Sequence, residues 1–145
     1  MQFIPVKNYD FNLKLSEHFT LGEFIRSDKA FGQKIIMQYV HQDHIVENIK
    51  FLVTHFLEPA RLSVGEPIYI TSGFRCSGTN MAVGGSKTSL HLYGLAADIR
   101  ISTRANLLIE FLRECKYHEL YVYNNYIHFS VKHVWAEQKY KDLRR

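Results

Sequence analysis

Between Ile45 and Leu57 apolar side chains return at intervals of three and four: Ile45, Ile49, Leu52, Val53, Phe56 and Leu57. A helix with that spacing has one continuous apolar side, which must be buried against a second layer. That layer is written further along the chain in a different period. Over residues 95–101, Leu95, Ala97, Ile99 and Ile101 alternate with Ala96, Asp98 and Arg100. Over residues 126–131, Ile127, Phe129 and Val131 alternate with Tyr126, His128 and Ser130. A period of two belongs to strands whose faces meet different surroundings. Together the two periods predict an α+β fold, with helices packed on one face of a small, mostly antiparallel sheet.

The chain has 145 residues, the size of one domain with one sizeable core. Residues 1–15 show no sustained period and read as an N-terminal arm, residues 16–131 as the domain, and residues 132–145 as a solvated basic tail carrying Lys139, Lys141, Arg144 and Arg145. Thr20-Leu-Gly-Glu23 has the form of a capping box and predicts a short helix to about Ala30, stopped by Gly32. Pro59 is expected to kink or end the long helix, and Gly65 to close the segment before a strand over residues 68–71. Residues 72–94, with Gly73, Gly78, Gly84, Gly85 and Gly94, read as one long loop of the kind that carries function. Thr103 is expected to cap a helix with a buried stripe of Leu107, Leu108, Phe111, Leu112 and Cys115. Asn124-Asn125 reads as a two-residue hairpin turn joining residues 120–123 to 126–131.

Lys plus Arg number 18 against 14 Asp plus Glu, a net +4 that suits an anionic polymer, whether nucleic acid or bacterial cell wall. No regular Lys/Arg stripe interleaves with the aromatics, so a nucleic-acid partner is not expected. Nor is a membrane partner, because no window approaches the about 18 uninterrupted apolar residues of a span. Cys76 and Cys115 are too few for a disulfide framework or a thiolate zinc cluster and read as reduced thiols. The first ten residues lack the basic flank, apolar run and cleavage site of a signal peptide, so synthesis in the cytoplasm as a monomer is expected.

Eight histidines exceed what a core needs, and two stand where strand parity and a carboxylate can build a metal site. His91 ends the glycine-rich segment and Asp98 lies inside the next strand. On a helix, seven residues would separate them by about 10.5 Å, too far to share an ion. A bend at Gly94 instead lets the loop fold His91 back over the strand. If both apolar rows cover the same helical layer, Asp98 and His128 emerge together on the other face. His91, Asp98 and His128 would then offer one zinc two imidazoles and a carboxylate, leaving the fourth position to water as in catalytic zinc sites.

Ser16-Glu-His-Phe-Thr-Leu-Gly-Glu-Phe24, Leu57-Glu-Pro-Ala-Arg61, Pro67-Ile-Tyr-Ile-Thr-Ser-Gly-Phe-Arg75, Asn80, Val83-Gly-Gly-Ser86, Ser89-x-His91-x-x-Gly94-x-Ala-Ala-Asp98-Ile99 and Tyr126-Ile-His128 follow one another in this chain. In that order they resemble the D-alanyl-D-alanine carboxypeptidase-like zinc peptidases, which cleave cell-wall peptides and include phage endolysins. The resemblance covers roughly residues 16–131. It implies that His91, Asp98 and His128 bind zinc, that Arg75 binds substrate, and that Ser89 lines the cleft. It also implies hydrolysis of amide bonds in peptidoglycan peptides, of carboxypeptidase or endopeptidase type; the lack of a signal-peptide pattern fits a phage-type enzyme that reaches the wall after release, and equally a cytoplasmic peptidase. A guanidinium suits such a role, since its planar fork can clamp a carboxylate or stabilise oxyanion charge.

The chain departs from that family at the general base. Relatives carry a glutamate three residues before the last zinc histidine, or a histidine or aspartate two positions from it. Here those positions hold Asn125, Tyr126 and Ser130. Pairing through the Asn-Asn turn puts Tyr121 opposite His128 and Glu119 opposite Ser130, so Glu119 is the base candidate, the alternative being a solvated strand-end glutamate. Tyr121, Tyr123 and Tyr126 share that face, and Tyr121 and Tyr126 are expected to contact substrate. The alternative is a non-catalytic, zinc-containing wall-binding module that has lost its base. Gly85-Ser-Lys-Thr88 lacks the order and the strand-to-helix setting of a phosphate loop, and His41-Gln-Asp-His44 reads as a polar helix entry rather than a second metal grip. His18, His55, His118 and His133 show no partner set in the sequence.

Overall fold

The computed structural model describes residues 4–5, 8–26, 39–40, 44–134 and 137–145. The far part of the helix expected to reach Ala30, its stop at Gly32, and His41 lie outside these residues. The elements run β1 (Ile4–Pro5), α1 (Leu21–Ile25), β2 (Tyr39–Val40), α2 (His44–Leu52), a π-helical turn (Val53–Leu57), α3 (Glu58–Val64), β3 (Ile68–Ser72) and α4 (Ser77–Ala82). A 3-10 turn (Leu90–Tyr93), β4 (Ala96–Ile101), α5 (Ala105–Arg113), β5 (Glu119–Val122), β6 (Ile127–Ser130) and β7 (Lys139–Asp142) follow. β3 to β7 form one five-stranded sheet in the order β3-β4-β6-β5-β7, antiparallel except where β5 meets β7. β1 and β2 form a separate antiparallel pair. This is the α+β architecture the two periodicities imply. Among the described residues, no helix is long and apolar enough to cross a membrane.

The helical stripe and the apolar strand rows meet in one core. Ile45, Ile49, Leu52, Val53 and Leu57 are fully buried, as are Ala97, Ile99, Leu120 and Phe129 from the sheet. Phe56 packs its ring 5.7 Å from that of Phe129. Pro59 does not end the helical run, which continues through α3 to Val64. The wider π turn precedes it, with the Glu58 N–H bonding the Val53 carbonyl five residues back, and Pro59 sits in the first turn of α3, where its missing N–H costs least. The helix then stops at Gly65, whose φ of 71° is left-handed.

Four other expectations need correction. Thr103 does not cap α5: its amide and hydroxyl donate to Glu66 at 2.9 and 2.6 Å, and Arg104 is the capping residue. The buried side of α5 is Leu108, Ile109 and Leu112, while Leu107 is exposed. The segment over residues 72–94 is not loop throughout, since it holds α4 and the 3-10 turn. Finally, the basic tail is docked rather than free. Lys139 N–H donates to the His118 carbonyl at 2.8 Å and Leu143 N–H to that of Val122 at 2.7 Å, which seats β7 on the sheet edge.

Near the chain start, Glu58 is almost buried and accepts from the His18 backbone N–H at 2.7 Å and from His18 Nδ1 at 2.8 Å. Burial raises its pKa, but donors from Ser16 and His18 outweigh that and hold it below the ordinary 4.5. A depressed carboxyl contributes stability above its unfolded value that is lost as the pH falls through its folded value. Glu58→Gln is therefore expected to cost about 1–3 kcal/mol at pH 7 and progressively less below pH 4.5. Urea midpoints of both proteins at pH 7 and pH 3 check this, and an equal gap at both pH values would show that charge is not involved.

Candidate metal centre and cleft

The strand pairing fixes two of the three expected ligands. Asp98 on β4 lies directly opposite His128 on β6, and His128 directly opposite Tyr121 on β5. Tyr123 N–H donates to the Tyr126 carbonyl at 2.9 Å, which closes the turn at Asn124-Asn125 and sets the register in which Glu119 pairs with Ser130. Beside Asp98, β3 carries an extra residue between Ile70 and Ser72, and the Thr71 hydroxyl donates to the Asp98 carbonyl at 3.1 Å. Bulges of this sort re-aim neighbouring side chains.

His91 arrives from the 3-10 turn. The Ser89 hydroxyl accepts the His91 backbone N–H at 3.2 Å and starts that turn, and Gly94, at φ 73°, ends it. A side chain at Gly94 would meet Ile49 Cγ1 at 2.8 Å, so this glycine also lets the turn lie against α2. The His91 ring is buried, and its Nδ1–H donates to the Gly73 carbonyl at 2.6 Å. Gly73 in turn abuts α1, because a Cβ there would sit 2.6 Å from the Phe24 carbonyl oxygen. Thus α1, the loop after β3 and the 3-10 turn hold one imidazole in one orientation, with Nε2 directed to Asp98 Oδ1 at 3.2 Å.

His91, Asp98 and His128 each present a ligand atom within 4.8 Å of the others and could hold a metal ion. Asp98 Oδ1 lies 2.9 Å from His128 Nδ1. Burial raises the Asp98 pKa, and hydrogen bonds from His128 and His91 reverse this, leaving it well below the usual carboxylate range. Burial lowers the His128 pKa, but Asp98 and Glu119 on its two sides raise it to about 9. Glu119 Oε1 lies 3.0 Å from His128 Nε2 and accepts from the Ser130 hydroxyl at 2.8 Å, while the Tyr121 hydroxyl donates to Oε2 at 3.3 Å. The His128 bond is the largest cause of a Glu119 pKa lowered to about 2.

These residues floor a cleft of about 610 Å³. Arg75, Ser89, Tyr121 and Tyr126 line it, as do His118, Lys132 and Lys139. Arg75 makes no ion pair among the described residues, and its Nε is buried without an acceptor. Tyr121 stacks on the His128 ring with centroids 5.5 Å apart, and Tyr126 stacks on Tyr123 at 4.6 Å. The tyrosine phenols are kept protonated: burial raises both Tyr121 and Tyr126, aided by Glu119 and Asp98 respectively. Lys132 and Lys139 belong to the segment expected to be a solvated tail and are not foreseen as lining residues, and nothing in the spacing marks His118 as one. His133, also without a visible partner in the sequence, binds Asn48 Oδ1 at 2.7 Å, and Asn48 donates to the Tyr93 carbonyl, tying α2 to the turn that carries His91.

Fold and donor set define a class: a small α+β protein whose cleft gathers two imidazoles and a carboxylate able to hold a metal ion. A family model described as Peptidase M15 matches residues 17–130, and the chain belongs to that family of peptidases. No curated protein matches it.

Proposed function

We propose that this chain is a zinc-dependent hydrolase of amide bonds in bacterial cell-wall peptides, with one zinc per chain held by His91, Asp98 and His128. The observation that carries this reading is the convergence of three ligand atoms within 4.8 Å beside an unpaired, half-buried Arg75, in a chain of the Peptidase M15 family. Two imidazoles and one carboxylate suit zinc, and a cleft on the remaining side suits substrate. When bound, zinc supplies Lewis-acid polarisation of a carbonyl and makes water acidic enough to attack at neutral pH.

The chain's own residues supply orientation. Arg75 offers a planar fork to a peptide carboxylate or to developing oxyanion charge. Lys132 and Lys139 add positive charge at the cleft wall, in keeping with the anionic peptides of the wall. The protonated Tyr126 hydroxyl is a donor toward the same space, and Ser89 holds the turn that presents His91. A second reading, a zinc-containing module that binds the wall without cutting it, is favoured by one observation. Asp98 and Glu119 are the carboxylates among the described lining residues, and each is already hydrogen-bonded to histidine.

Digestion of purified peptidoglycan followed by mass spectrometry separates the two. Hydrolysis adds the mass of one water per bond cut and identifies the bond, and it is expected to stop with a chelator and return with zinc. Retention of zinc and of wall fragments without any cleavage would replace the enzyme by the binding module.

A further inference from the structure

We infer that Glu119 is a positioning residue that sets the tautomer of His128, rather than the group that takes a proton from water. The inference rests on the reading that His91, Asp98 and His128 hold a metal. A neutral imidazole carries one hydrogen, and the ring nitrogen that keeps it cannot be a ligand. His91 settles this through the backbone: its Nδ1–H donates to the Gly73 carbonyl and Nε2 is left for the metal. His128 is placed the other way round. Its Nδ1 edge faces Asp98 at 2.9 Å, and its Nε2 edge meets Glu119 Oε1 at 3.0 Å. A carboxylate there accepts from Nε2–H and frees the Nδ1 lone pair. The two histidines would thus bind through opposite nitrogens, each chosen by a different acceptor.

The surroundings of Glu119 fit this role better than proton transfer. A base must come within about 2.6–3.2 Å of the water it deprotonates, directly or through one further water. Glu119 Oε1 already receives two donors, His128 Nε2 and the Ser130 hydroxyl, and Oε2 receives the Tyr121 hydroxyl. The His128 ring lies between Oε1 and the ligand cluster. Ser130 is fully buried and is the cross-strand partner of Glu119, so the strand pairing itself locks the carboxylate behind the ring. Tyr121, stacked on His128, holds Oε2 from the same side, so that Glu119 borders the cleft with both oxygens already engaged.

The test is zinc affinity by chelator competition, with nitrogen chemical shifts of the histidine rings in the zinc-loaded protein. In the unaltered chain the His128 shifts should report hydrogen on Nε2 and metal on Nδ1. Glu119→Ala is expected to weaken zinc binding about 10- to 100-fold and to lose that signature. Glu119→Gln keeps an acceptor oxygen and should restore most of both, and Ser130→Ala, which removes one support in a buried site, should fall between. Unchanged zinc affinity and ring shifts in Glu119→Ala would overturn the proposal. So would a roughly 10²–10⁴-fold fall in turnover for Glu119→Gln at full zinc occupancy, the mark of a lost base. If the unaltered chain has no zinc affinity, the metal-site reading itself fails and this role with it, a result distinct from a Glu119 variant that binds zinc as the unaltered chain does.

Discussion

If one zinc per chain sits at His91, Asp98 and His128 as proposed, replacing His91 and His128 together with alanine is expected to remove it and to lower amide hydrolysis by about 10³-fold or more. The size follows from what the ion contributes, carbonyl polarisation and water acidity worth several kcal/mol of barrier. Asp98 alone, with one carboxylate and no imidazole, cannot hold the ion tightly. The fold should survive, because the backbone at these positions is held independently of the rings: Asp98 and His128 lie on paired strands, and the His91 N–H and carbonyl bond the Ser89 hydroxyl and the Arg75 N–H, although loss of the His91 ring leaves the Gly73 carbonyl without that donor. Stability should nevertheless respond to the metal. Zinc at a thousandfold excess over its Kd would stabilise the unaltered chain by about 4.1 kcal/mol, and the double variant should show no such shift. Metal analysis and melting with and without zinc check both. Full zinc content in the double variant would place the ion elsewhere, with His44 and His41 the next residues to replace.

The site was more legible than the fold around it, for a physical reason. Side-chain direction in a strand has a period of two, and a two-residue Asn-Asn turn leaves one register, so local sequence suffices to put His128, Tyr121 and Glu119 on one face, and Asp98 joins them once both apolar rows cover one helical layer. What the spacing could not give was the direction of a side chain within that face. Glu119 falls on the right surface by parity, yet its partners at Nε2 of His128 and at Ser130 depend on rotamers that only packing decides. Distant partners were hidden in the same way. Thr103 has the chemistry of a cap, but Glu66, 37 residues earlier, takes both its donors. Residues 77–82 lack apolar periodicity. Their short helix is held by polar contacts, such as Asn80 Nδ2 donating to the Ser86 carbonyl at 2.9 Å. β7 carries almost no buried side chain and joins the sheet through its backbone, a bond pattern that sequence does not encode by residue type.

If the missing partner of Arg75 is substrate, as proposed, Arg75→Ala is expected to reduce turnover roughly 10²–10³-fold while leaving the melting temperature nearly unchanged. The backbone at this position is anchored independently of the side chain: Arg75 N–H donates to the His91 carbonyl at 3.0 Å, and the preceding Phe74 is buried. The guanidinium itself has no ion-pair partner among the described residues, and burial lowers its pKa while Asp98 pulls it back up. Taking such a group out of water costs free energy that the folded protein alone does not recover. Substrate charge would recover it, which is why removal should fall on catalysis. Arg75→Lys keeps the charge but loses the planar fork, so it should recover only part of the activity if two parallel hydrogen bonds are made, and nearly all of it if a point charge is enough. Kinetics on a defined wall peptide, set beside thermal melts of all three proteins, separates these outcomes. An alanine variant that melts many degrees lower, with unchanged kinetics on the folded fraction, would make Arg75 a structural residue instead.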